Sequence, residues 1–101
     1  MKSFGDMVKQ AQKMKRQMTE LQDQFAEDRY QATAGGGAVT AEVDGKQMLK
    51  SVKISPEAIK DGDASLLEDL ILAAVGEAQR ASETEMNEKL AKVTGGFSLP
   101  F

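Results

Sequence analysis

The chain has no cysteine and no histidine. Without cysteine there is no disulfide framework and no thiolate zinc site. Without histidine, the commonest general base and the commonest metal ligand are both missing. Long apolar runs are absent too: the longest, Leu70 to Val75, is far too short to cross a bilayer. The opening Met1-Lys2-Ser3-Phe4-Gly5-Asp6 carries charge at once and leads into no apolar segment, so no secretory signal is read there. These absences point to a soluble cytoplasmic chain with no membrane partner. What remains is 101 residues, 41% hydrophobic and 29% charged, which suits one globular domain over 1–101.

Catalysis finds little to stand on. Sixteen Asp and Glu side chains are available, but none lies in an apolar context that would raise its pKa. No nucleophile accompanies them. Gly35-Gly36-Gly37 has the freedom of a phosphate cradle, yet Ala38-Val39-Thr40 follows where a P-loop needs Lys-Ser/Thr and a helix. It reads as a hairpin turn. Asp61-Gly62-Asp63 lacks the remaining ligand spacing of a calcium loop and reads as a turn and cap. The expectation is no enzyme, no cofactor, no metal and no small-molecule substrate.

The net charge of −3 hides a strong polarity. Lys2, Lys9, Lys13, Lys15 and Arg16 face Asp6 alone within the first sixteen residues. Glu20, Asp23, Glu27 and Asp28 follow with no base among them, and residues 54–88 hold nine acids against Lys60 and Arg80. Such a body repels polyanions everywhere except at its basic end.

From Phe4 to Phe25 the apolar residues alternate in steps of three and four: Phe4, Met7, Ala11, Met14, Met18, Leu21, Phe25. That is a heptad seam filled out with good helix formers, so a helix is expected over about 4–27. It is longer than a small sheet can cover, and part of it should project or pair with another helix. The period then changes to two. Strands are expected at about 29–34, 38–44 and 48–54, joined by the Gly35–Gly37 turn and by Asp44-Gly45, read as a type I′ turn with positive φ at Gly45. Such a meander needs a helix cover, a second copy, or both. Ser55-Pro56-Glu57 opens a short turn. Ser65 and Glu68 read as a capping box opening a helix over about 65–93, with a short tail at 94–101. Leu66, Leu67, Leu70, Ile71, Ala74, Ala78 and Ala81 form its apolar face, and its outer half is too polar to be buried within one chain. The fold class is therefore α+β: an α-β-β-β-α protomer with a three-stranded antiparallel sheet, two long helices, and a dimeric state.

With Phe4 at heptad position a, Lys2, Lys9 and Arg16 all fall at f, opposite the seam, flanked by Lys13 and Lys15. Asp23, the next f, ends the row. Cations near a helix N-terminus oppose the macrodipole, so Lys2 and Lys9 do not serve helix stability. A one-signed row on a projecting helix suits a run of phosphates. A solvated outer face explains the same row, and on these residues alone the two readings stand level. The Met-rich seam of Phe4, Met7, Met14, Met18, Leu21 and Phe25 reads as packing or dimer surface.

The order of these segments carries a resemblance. Val39-Thr40-Ala41-Glu42-Val43-Asp44-Gly45, Val52-Lys53-Ile54-Ser55-Pro56, Leu67-Glu68-Asp69-Leu70-Ile71 with Ala73-Ala74, Thr94-Gly95-Gly96 and Leu99-Pro100 stand behind a basic Met/Gln helix and a triple-glycine hairpin. Together they resemble the YbaB/EbfC family of small bacterial nucleoid-associated proteins over nearly the whole chain. The resemblance implies a homodimer whose protruding helices grip duplex DNA like tweezers. It also implies a nucleoid location and roles in nucleoid organisation and gene regulation. The glycine-rich lead common in the family is missing here. The expected partners are double-stranded DNA, met mainly through phosphates, and a second copy of the chain. The competing reading is a protein–protein adaptor that uses the seam and the outer half of the last helix.

Overall fold

The computed structural model describes residues 3–93. The elements run α1 (Phe4–Glu27), β1 (Tyr30–Ala34), β2 (Val39–Val43), β3 (Leu49–Ile54), α2 (Pro56–Lys60) and α3 (Ala64–Val93). The sheet is an antiparallel meander in the order β1-β2-β3. Its period-two pattern sends Val39, Ala41 and Val43 of β2 fully inward, with Tyr30, Ala32 and Ala34 of β1 and Val52 and Ile54 of β3 beside them. Ala74 and Ala78 of α3 complete this core, and their small side chains bring the helix close to the sheet. Burying one such valine is worth roughly 1.5–3 kcal/mol.

α3 packs across β1 and β2 and barely reaches β3. The covering face is Leu67, Leu70, Ile71, Ala74, Val75 and Ala78, continued by Ser82 and not by Ala81. Ala81 is exposed, whereas Ser82 is fully buried and its Oγ donates to the Asp44 carbonyl at 2.8 Å. The steps from 74 to 78 to 82 are all of four, which keeps these positions nearly in line on a 3.6-residue helix.

Three local expectations are corrected. The Asp44-Gly45 turn is not type I′, and Gly45 does not have positive φ. Gln47 N–H donates to the Asp44 carbonyl, Gln47 takes φ 67°, and Asp44 N–H donates to the Met48 carbonyl. This is a three-residue hairpin loop, a type I turn followed by a left-handed residue. The Asp44 carboxylate selects it by accepting from Lys46 N at 2.8 Å and Met48 N at 3.0 Å. The second correction is the start of α3. Its cap is Asp63, whose Oδ1 accepts from Leu66 N at 3.0 Å, so Ser65 lies inside the first turn and forms no box. Asp63 wins because it caps from an earlier position, right after Gly62 at φ 67° has turned the chain. The box appears at α1 instead: Ser3 Oγ accepts from Asp6 N, and the Asp6 carboxylate accepts from Ser3 N. Third, Ser55-Pro56 opens a complete short helix, with Ser55 Oγ accepting from Ala58 N at 3.3 Å.

The molecule measures 70 × 22 × 17 Å. α1 alone is about 36 Å long. It touches the rest of the chain mainly at its C-terminal end, where Phe25 is its sole buried residue. The projecting helix expected from the seam length is therefore present: α1 is an arm.

Candidate nucleic-acid interface

α1 is unbroken from Phe4 to Glu27, so side-chain directions follow from its 3.6-residue period. Lys9, Lys13 and Arg16 fall within a sector of about 60°. The seam residues Phe4, Met7, Met14, Met18, Leu21 and Phe25 lie on the opposite side. Lys15 stands apart from the row, flanking the seam. Lys2, also expected in the row, lies outside the described residues.

All four described cations are exposed. Among the described residues none of them has an ion-pair partner. Several cations elsewhere are matched. Lys50 lies 3.7 Å from Asp44, Arg29 3.5 Å from Glu42, and Arg80 bonds Glu77 one turn away. The arm thus holds a row of exposed cations with no ion-pair partner among the described residues. On the same face, further down, come Glu20, Asp23 and Glu27, all exposed. The face changes sign halfway along, which confines any polyanion to its distal half.

The seam is mostly uncovered. Phe4 is 82% exposed, and Met7 and Met14 are more than half exposed. Met18 and Leu21 are partly buried, and only Phe25 is enclosed. Phe25 sits on the β2–β3 loop. Gly45 N donates to the Phe25 carbonyl at 2.7 Å, and a Cβ at Gly45 would meet Phe25 backbone and Cβ atoms at 2.7–2.9 Å. Gly45 is required by this close approach.

Sequence reasoning missed how the arm is held. Lys89, near the end of α3, places Nζ 2.6 Å from Asp28 Oδ2, just past the end of α1. The same Nζ lies 5.7 Å from the Phe25 ring centroid, and Tyr30 Oη donates to Asp28 at 3.4 Å. The hydrogen bond to Asp28 raises the Lys89 pKa, against the opposing effect of its burial. Burial pushes the Asp44 carboxyl up, but the amides of Met48 and Lys46 and the charges of Lys50 and Arg29 outweigh it and hold the pKa below its ordinary value.

Among the described residues no group of His, Cys, Asp and Glu could hold a metal ion. A depression of about 500 Å³ lies between the Gly35–Gly37 turn and α2, but Glu57, Asp61 and Asp63 line it. That acidic rim opposes phosphate. No described helix is long and apolar enough to cross a membrane.

The structure is a helix-covered antiparallel meander that carries an arm of exposed cations with no ion-pair partner among the described residues. Comparison with known proteins makes this specific. Residues 1–97 match the YbaB/EbfC DNA-binding family, and the chain belongs to it. A nucleoid-associated protein of Alkaliphilus metalliredigens is 42% identical over 98 residues, covering 97% of this chain and 86% of the relative. One from Gemmatimonas aurantiaca is 44% identical over 95 residues, covering 94% and 91%. The uncharacterized protein HP0035 from Helicobacter pylori superimposes with a TM-score of 0.84 at 17% identity, covering 94% of this chain and all of that one. That likeness speaks to the fold.

Proposed function

We propose that this protein is a nucleoid-associated factor of the bacterial cytoplasm that binds duplex DNA as a homodimer. The binding runs through phosphates, with little sequence preference, and serves nucleoid organisation and gene regulation. The observation that carries the reading is the row Lys9, Lys13 and Arg16: exposed, without ion-pair partners and projecting from an acidic body. Lys15, beside the seam, adds a further exposed cation to the arm. The names of the relatives, nucleoid-associated proteins, support the location.

The dimer has its own support. β3 has a free edge, and α3 is displaced away from it towards β1. On that edge strand Leu49 is 48% exposed. A second copy joined edge to edge would cover Leu49 and pair the free backbone groups.

The test is a fluorescence-anisotropy titration with unrelated duplexes at two salt concentrations. Three phosphate contacts per protomer make six per dimer, so log affinity should fall with log salt at a slope of about −5, taking ~0.9 per contact. Unrelated sequences should give the same slope. Affinity that ignores salt, or no binding, would favour the adaptor reading, in which the uncovered seam takes a partner protein.

A further inference from the structure

The arm is a lever fixed at one end. Phe4 lies twenty-one residues from Phe25, about 32 Å along the helix. A tilt of 10° at Phe25 therefore moves the tip by about 5–6 Å, close to the ~6 Å width of a DNA minor groove. The cations Arg16, Lys13 and Lys9, nine to sixteen residues from Phe25, move by about 2–4 Å with the same tilt, which exceeds the tolerance of a phosphate contact.

Two ties hold that base. One runs through the β2–β3 loop: Gly45 bonds the Phe25 carbonyl, while Ser82 and Gln79 of α3 bond the carbonyls of Asp44 and Gln47. The loop tie places Phe25 but bears on a single point of the helix. The second tie is direct. Lys89 of α3 grips Asp28, sixty-one residues away in sequence, and lies over the Phe25 ring. Phe25 and, at the helix cap, Asp28 are thus held from two different elements, where the loop tie alone would leave a pivot.

We infer that Lys89 is a positioning residue for DNA binding: through Asp28 and the Phe25 ring it sets the direction of the α1 arm and touches no DNA itself. This rests on the phosphate-contact reading of the arm. Lys89 is partly buried, and its ammonium is already bonded to a carboxylate. It is thus poorly placed to replace a DNA counterion. Loss of Lys89 should leave the number of bound phosphates unchanged and raise the cost of ordering the arm.

That separates positioning from contact. The chain has no cysteine, so labels at Gln17→Cys on α1 and Ala73→Cys on α3 are unique. Electron–electron distance measurements in spin-diluted protein read the arm direction without DNA. Lys89→Met should broaden the distance distribution and weaken DNA binding about tenfold at fixed salt, with the salt slope unchanged. Lys89→Arg should restore both, and Asp28→Asn should reproduce the defect. Circular dichroism of each variant should match the wild type.

An unchanged distribution in Lys89→Met overturns the joint. A broadened distribution with wild-type affinity shows that arm direction does not matter, which also overturns the proposal. A slope flattened by about 1.8 per dimer makes Lys89 a phosphate contact instead. Wild-type protein that ignores DNA contradicts the phosphate reading itself, and with it any positioning role.

Discussion

Gly45 and Gly36 look alike in the sequence and answer to different physics. Gly36 stands at φ 66° with open space around it, so Gly36→Ala pays only for a left-handed backbone, about 1–2 kcal/mol. Gly45→Ala drives a methyl into the Phe25 backbone and should cost about 1–3 kcal/mol. The difference lies in where the damage appears. Urea denaturation reads both losses, but only Gly45→Ala should also loosen the base of α1. Asp44 supplies a pH dependence. Its folded pKa is lowered, so the stability it contributes is present above the ordinary carboxylate value of ~3.9. That stability is lost as pH falls through the lower folded value. Asp44→Asn should therefore flatten the acid limb of the stability profile below about pH 4, and acid titration of the urea midpoint checks it. Asp63→Ala should cost about 0.5–2 kcal/mol through the α3 cap, whereas Ser65→Ala should stay within about 0.5 kcal/mol.

The helices differ in what supports them. α3 draws stability from the sheet, while α1 stands almost alone and lacks the tertiary packing that supplies most helical stability in proteins. Amide exchange should show this gradient: α1 amides between Asp6 and Leu21 exchange far faster than those of α3 between Leu70 and Ser82. Equal protection in the two helices would mean that the arm is covered along its length. The periodic elements could be read directly from the sequence. α1 declared itself through the unbroken run from Phe4 to Phe25, the strands through their alternation, and α3 through Leu67 to Ala78. Other features could not be read that way. The loop at Asp44 followed its side-chain hydrogen bonds and not the Asp-Gly pair. Ser82 reads as polar, and only tertiary packing makes it the innermost residue of its turn. Lys89 reads as a last-turn cation, and nothing local reveals its bond to Asp28. The cationic row was visible from heptad spacing, but its lack of ion-pair partners was not.

Taken as one object, the protein is a negative body with a positive tip, and the body limits how the tip works. DNA held at Lys9, Lys13 and Arg16 meets repulsion from Glu20, Asp23 and Glu27 if it slides inward. Affinity at physiological salt should be modest, and occupancy should rise when several dimers bind side by side. Sedimentation equilibrium should find a dimer at micromolar concentration, and Leu49→Glu on the β3 edge strand should shift it to monomer. A wild-type chain that sediments as a folded monomer would remove the second arm from the account.

If the α1 row meets DNA phosphates, the salt dependence of the Lys9→Ala/Lys13→Ala/Arg16→Ala variant must show it. Binding should weaken on all duplexes alike, and the slope of log affinity against log salt should flatten from about −5 towards zero. These side chains are exposed and off the seam, so thermal stability should barely move. A Lys50→Ala/Lys53→Ala variant should keep most of the wild-type slope, since Asp44 already partners Lys50. Wild-type affinity and slope in the triple variant, with loss of binding in the strand variant, would move the DNA from the arm to the sheet.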